Sequence, residues 1–331
     1  MRISESVVIM NDTNFCNAIE YAIEQNCEVI SMSMAGKPGK RMATAVNDAY
    51  EAGLVMVTAA SNCWYKGPGA LLPKCVMYPA AFKRVIAATG AMYDHKPYDV
   101  NFIQQARFNI TTKYMQGSWG PASRMTRALA AYTPNTPWAS THHKFVRSGG
   151  GTSSATPQVA AAAALWIAHH RTELENKGYY VEGNKWKKVE AVRHALFTSA
   201  AKDEVFGDWQ KYYGNGILRA YDALKIPVAD ADKLLKAEKA ESSFWGITEA
   251  LGSFFKRRKL FRSKSPKPTA DALATELLDL LQTDPQFYSL FSNLNLSSKK
   301  EATALINDKE FRKKVVQSPY SSEYLKEVTV K

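Results

Sequence analysis

Residues 154–169 read SATPQVAAAAALWIAH, with apolar side chains on nearly every side of the helix this segment would form. A helix that is apolar all round has no face to offer water, so it belongs in the centre of a large domain. Its longest uninterrupted apolar run, Val159 to Ala168, is half of what a membrane-spanning helix requires. The surrounding chain must therefore fold around it. At 331 residues the sequence is long enough for about two domains. Charged residues make up 22% and hydrophobic residues 46%, which excludes disordered, collagenous and coiled-coil classes.

Upstream of this helix, short β-branched runs alternate with amphipathic stretches, the pattern of an α/β domain with a parallel sheet. Strands are predicted at Ile3 to Met10, Glu28 to Met32, Leu54 to Thr58, Arg84 to Ala88 and Arg127 to Tyr132. Phe15, Ile19, Ala22 and Ile23 form an inward stripe on a first helix, and a second runs from Arg41 to Ala52 and stops at Gly53. Further helices are expected at Lys187 to Ser199 and in a closing segment after the turn at 212–216.

Composition changes after Pro227. Residues 226–269 read as a charged and then basic linker, and 270–331 as a small helical module with Leu273, Leu277, Leu280, Leu281, Phe287, Phe311 and Val315 inside. The net charge of +12 is concentrated in KRRKLFRSKSPK, residues 256–267, which hold seven of the 43 Lys and Arg. Such a run is first a solvated linker; binding of nucleic acid or an anionic membrane through it is the weaker reading. The aromatic stretch before it, Phe244 to Phe255, is read as a helix packed on the main domain rather than on lipid, because Gly246 and Gly252 weaken it. Cys16, Cys27, Cys63 and Cys75 contain no Cys-x-x-Cys pair, which excludes a zinc ribbon, and they are expected to remain thiols.

The chemistry is concentrated in Gly149-Gly150-Gly151-Thr152-Ser153-Ser154-Ala155-Thr156-Pro157, a glycine-rich turn that opens the buried helix. A serine hydroxyl placed there lies beside unpaired backbone N–H groups and the positive end of the helix dipole, which stabilise developing negative charge. Taken alone, the segment is more readily an ordinary helix cap.

Other segments favour the functional reading. Gly151 to Ala160 (GTSSATPQVA), VMVTAASN at 55–62, AIEYAIEQNCEVISMSMAG at 18–36, Tyr78-Pro79-Ala80, Gly117 to Pro121 and Tyr212 to Gly216 occur in order and resemble the subtilisin family of serine proteases over residues 1–225. The resemblance implies a parallel-sheet α/β domain, entered partway through the family pattern; the linker and the small helical module lie outside it. It also implies peptide-bond hydrolysis, with Ser153 as nucleophile and Asn62 as oxyanion-hole donor. Ser33, Met34 and Ala35, together with Ala59, Ala60 and Ser61, are the implied substrate-binding residues. Ser61 stands where the family has glycine, and Ser154 where methionine is common.

The family's Asp-[Ser/Thr]-Gly and His-Gly-Thr motifs are absent. None of the six histidines precedes Gly-Thr, so no catalytic His or Asp is carried over. A serine without a base is a poor nucleophile, and the isolated chain is expected to be nearly inactive. Two readings follow: a protease whose Asp and His come from an upstream polypeptide, or a non-catalytic module that holds peptides or proteins in the remnant cleft. No cofactor is required for the chemistry. Structural calcium is common in the family, but no acidic cluster here matches a ligand set. Without a signal-peptide core or a spanning segment, a cytoplasmic location is the expectation.

Overall fold

The computed structural model describes residues 8–9, 12–36, 38–64, 75–99, 115–120, 122–140, 144–202, 207–240, 277, 280–281, 284–287, 299–319, 321 and 323–330. In chain order the elements are β1 (Val8–Ile9), α1 (Asp12–Glu24), β2 (Val29–Met32), β3 (Ala35–Gly36), α2 (Lys40–Glu51), β4 (Val55–Ala59), β5 (Asn62–Trp64), β6 (Ile86–Ala91) and β7 (Met115–Gly117). They continue with α3 (Ala122–Met125), β8 (Ala128–Tyr132), β9 (Thr136–Ser140), β10 (Lys144–Gly149), α4 (Thr152–His169), α5 (Arg171–Asn176), α6 (Lys185–Ser199), α7 (Trp209–Tyr213) and α8 (Ala220–Leu224).

Four strands form a parallel sheet in the order β2-β4-β6-β8. Every residue of β4 and of β6 is buried, as expected of central parallel strands covered on both faces. Val55 and Val57 pack with Ala155, Val159, Ala163 and Trp166 of α4. Met56, between them, packs on the other face with Phe15 and Ile19 of α1 and Met42 and Val46 of α2. This alternation is the strand period of two. Trp166 is fully buried and its indole donates to Ile226 O at 3.0 Å; truncating such a side chain to alanine costs about 3–5 kcal/mol. The all-apolar helix predicted from the sequence is thus the central helix, and it begins two residues earlier, at Thr152.

The five predicted strands appear as β1, β2, β4, β6 and β8, although only Val8–Ile9 of the first lies among the described residues. Not foreseen were the short antiparallel pair β5·β7 and the ribbon β9·β10. Pro137 lies within β9, which a two-stranded ribbon tolerates because one edge of each strand makes no ladder bonds.

Residues 228–240, read from the sequence as the start of the linker, run across the main domain. Val228 and Leu234 join the α4 side of the core and Ala240 the α2 side. Asn47 clamps Ala240 at both backbone atoms, donating to its carbonyl at 2.9 Å and accepting its N–H at 2.8 Å. The Tyr50 hydroxyl accepts the Ala237 N–H at 2.9 Å. The predicted aromatic helix and the basic run at 256–267 lie outside the described residues.

Within 270–331, three helices are described: α9 (Lys299–Asn307), α10 (Lys309–Gln317) and α11 (Glu323–Val330). Asp308 caps α10 by accepting the Phe311 N–H at 2.7 Å, and Phe287 meets Phe311 edge-on at 5.7 Å. Leu277, Leu280, Leu281, Ile306, Val315 and Leu325 are buried, whereas Leu273 lies outside the described residues.

Candidate functional site

The C-terminal ends of parallel strands are where an open α/β sheet places its ligands. Here the ends of β2 and β4 converge on the first turn of α4. Gly151 precedes α4 with φ of 72°, a conformation that suits glycine. A Cβ at Gly151 would also lie 2.7 Å from Asn62 Oδ1. Glycine is therefore required twice over, by backbone conformation and by the closeness of Asn62.

Ser153 is the second residue of α4 and partly exposed, in the turn whose N–H groups have no intrahelical acceptor. Its Oγ forms no hydrogen bond among the described residues. Asn62 is held by its oxygen: Oδ1 accepts the Thr152 N–H at 2.8 Å and the Thr152 hydroxyl at 3.3 Å. That orientation commits the acceptor and leaves Nδ2 as a donor without a partner among the described residues. The same threonine hydroxyl lies 3.0 Å from Ser61 O, so one side chain ties the α4 turn to the end of β4.

Ser61, where the resemblance expects glycine, has φ of 101° and is buried. A serine there is held in a region that non-glycine residues avoid, and the local hydrogen bonds keep it so. Its carbonyl accepts the Ser118 N–H at 3.0 Å and its Oγ touches Met77 Sδ at 3.4 Å.

Among the six residues expected to meet substrate, Ala59 and Ala60 are buried and their backbones are engaged. The Ala60 N–H donates to Ala88 O and its carbonyl accepts the Met77 N–H, both at 2.9 Å. Ser33 and Met34 are partly exposed at the end of β2. Ala35 pairs in parallel register with Val8, and Gly36 with Ile9. Ser33 makes a contact the sequence reading did not anticipate, its hydroxyl donating to the Ser153 carbonyl at 2.8 Å. Thr133 contributes likewise, donating to Gly151 O at 3.0 Å.

No histidine among the described residues is bonded to Ser153. His95 Nε2 lies 2.9 Å from the Tyr132 hydroxyl, and His170 sits between Glu173 and Leu224 O. His142 and His143 lie outside the described residues. No group of three or more metal-ligating His, Cys, Asp or Glu side chains comes together among the described residues, and no disulfide is present among them. Burial raises the pKa of the Tyr98 phenol, which packs beneath this turn. No helix among the described residues is long and apolar enough to cross a membrane.

Comparison with known proteins places these residues in context. The model of the subtilase family, Peptidase_S8, matches residues 9–216. Subtilisin DY of Bacillus licheniformis is 29% identical over 203 residues, covering 61% of this chain and 58% of that protein. Thermitase of Thermoactinomyces vulgaris is 30% identical over 214 residues, covering 64% of this chain and 60% of that protein. The chain thus spans less than two thirds of the length of these relatives. Among solved structures, the patellamide maturation protease PatA aligns with a TM-score of 0.47 at 20% identity, covering 66% of this chain and 69% of that one.

Proposed function

Because the chain belongs to the subtilase family, we propose that it is the serine-bearing part of a subtilisin-type endopeptidase, with Ser153 as nucleophile and Asn62 as oxyanion donor. The observation that carries the reading is the anchored amide of Asn62. Its oxygen is fixed by Thr152, the neighbour of Ser153 in the chain, which leaves its N–H donors for an acceptor beside the serine. Donors fixed before the reaction need not reorganise when charge develops, which is how an oxyanion hole lowers a barrier.

In this mechanism Ser153 Oγ forms a bond to the scissile carbonyl carbon while its proton passes to a general base. The carbonyl π electrons move onto oxygen, which is held by Asn62 Nδ2 and the Ser153 N–H. Collapse of the intermediate breaks the C–N bond, and the base returns the proton to the departing amine. Water then repeats the sequence on the acyl-enzyme, releasing the acid and restoring Ser153. Ser33, Met34 and Ala35 form the wall against which the acyl side of the peptide lies, with Ala59, Ala60 and Ser61 buried behind it. No cofactor takes part.

The base comes from residues other than the described ones, or from a second polypeptide. The support is the sheet itself: β2 is one of its two edge strands among the described residues, with Val29, Ile30 and Ser31 not buried. A strand added there would bring its own end beside Ser33. We further read residues 1–225 with the strap at 228–240 as one unit and 270–331 as a second.

One observation favours a second reading. No described histidine reaches Ser153, so the cleft would then hold peptides without cutting them. Treatment of the protein from its natural source with a serine-directed fluorophosphonate, followed by peptide mapping, separates the two. Modification at Ser153, absent in Ser153→Ala, supports the protease. Saturable peptide binding without modification would replace it with the binding module.

A further inference from the structure

A cavity of about 640 Å³ is lined by Trp119, Met125, Lys202, Trp209, Lys211 and, from the helical module, Pro319. We infer that it is a subsite for an acidic side chain of the peptide substrate, an inference that rests on the protease reading above.

Position comes first. Gly117 pairs with Asn62 across β5·β7, and the next residue, Ser118, donates its N–H to Ser61 O at 3.0 Å. Trp119 follows directly and forms the rim. Consecutive Cα atoms are about 3.8 Å apart and antiparallel partners about 5 Å apart, so Trp119 lies within roughly 13 Å of Asn62, about four residues of an extended peptide whose carbonyl is there.

Charge comes second. Among the described residues the lining holds two lysines and no carboxylate. Lys202 is committed, its ammonium donating to the carbonyls of Phe197, Thr198 and Ala200 at the end of α6. Lys211 makes no ion pair among the described residues; its ammonium lies 5.1 Å from the Trp119 ring centroid and 5.2 Å from that of Tyr212. A cation held against ring faces in this lining, with no ion pair among the described residues, is matched by a carboxylate.

Rigidity comes third. The Trp119 indole donates to Asp99 Oδ2 at 3.0 Å and packs edge-on against Tyr212 with centroids 4.7 Å apart. The wall therefore exists before any ligand arrives, and the methylenes of a glutamate would lie on Trp119 and Trp209 while its carboxylate reached Lys211.

The test uses the full chain and Ala/Ser hexapeptides in which a single Glu, Gln or Lys is moved through successive positions. Binding is read from the indole N–H signals of Trp119 and Trp209 and from the side-chain amide of Asn62. One position is expected to favour Glu over Gln by about tenfold, and Lys211→Glu, an exposed change that leaves the core intact, should turn that preference toward Lys. Equal binding of the three peptides at every position, or a Glu preference that survives Lys211→Glu, overturns the inference. If the indoles respond while the Asn62 amide does not, the cavity is not a substrate subsite. If the preference holds while Ser153 resists the phosphonate, the protease reading fails and the acid-binding cavity stands as part of a peptide-binding module.

Discussion

The hydroxyl of Ser33 donates to the backbone carbonyl of Ser153 at 2.8 Å, across 120 residues of sequence. That carbonyl would ordinarily accept the N–H four residues later in the helix, but residue 157 is proline and has none. A hydroxyl from the end of β2 thus replaces the hydrogen bond that α4 lacks. The strand-end residue expected to line the cleft and the serine expected to carry the chemistry are held in one fixed relation.

Ser33→Ala should therefore leave the Ser153 carbonyl without its donor, at a cost of about 1–3 kcal/mol. The check is a double-mutant cycle with Pro157→Ala, which restores a helical N–H to that carbonyl. Pro157→Ala should recover most of the lost melting temperature in the Ser33→Ala background. Strictly additive effects would show that the hydroxyl and the missing helical donor do not serve the same carbonyl.

Ser61 allows a sharper test, because its φ of 101° ranks substitutions by backbone preference rather than by size. Ser61→Gly should raise stability by up to about 1 kcal/mol, the relieved strain being partly offset by the greater freedom of glycine in the unfolded chain. Ser61→Val should lower it by about 2–3 kcal/mol, since a β-branched residue fits this region worst. Urea denaturation of the three proteins gives the order, and a valine variant as stable as the glycine variant would contradict it.

Several of these features were legible in the sequence, and the rest were not for definite reasons. The central helix announced itself because full burial removes the polar face that would otherwise mask its period, and β4 did so as the run VMVTA. Ser153 and Asn62 were marked by the motifs around them, and the resemblance paired them. What could not be read was the set of long-range hydrogen bonds. Thr152 looks like one more polar residue in a glycine-rich turn, yet its N–H and hydroxyl orient Asn62, 90 residues away. Pro157 did carry a signal, since a proline four residues after Ser153 predicts a carbonyl in need of another donor. The strap at 228–240 was hidden because alanines and scattered charges resemble linker composition, and its attachment depends on Asn47 and Tyr50 of α2.

Asn62→Asp separates anchoring from chemistry. The aspartate keeps an oxygen to accept the Thr152 N–H, so melting temperature should change little. It loses the Nδ2 donor, however, and adds negative charge where an oxyanion would form. The rate of phosphonate labelling of Ser153 should fall by about 10²- to 10³-fold, the range known for loss of one oxyanion donor in a subtilisin. Asn62→Ala should lose both, slowing labelling similarly and destabilising the α4 turn by about 1–3 kcal/mol because the Thr152 N–H is orphaned. Labelling of Asn62→Asp at the unaltered rate would remove Asn62 from the proposed mechanism.

The strap should loosen in acid before the domain does. Glu51 receives Lys236 of the strap at 2.7 Å and Arg84 at 3.0 Å. Burial pushes the Glu51 pKa up, but Lys236 and Arg84 outweigh it and hold the carboxyl below its usual value. Glu238 is held low as well, chiefly by its hydrogen bond from Lys83. For carboxyls lowered on folding, the stabilisation is complete above the unfolded pKa of about 4.3 and is lost as pH falls through the lower, folded value. Protection factors at Lys236 to Ala240, which remove the intrinsic pH dependence of exchange, should therefore be constant between pH 5 and 7 and should fall below about pH 4 while those of the β4 and β6 amides hold. Glu51→Gln should bring the faster exchange to neutral pH and flatten its pH dependence. Strap and sheet amides that open together at every pH would show that residues 228–240 are an integral layer of the domain rather than a separately released strap.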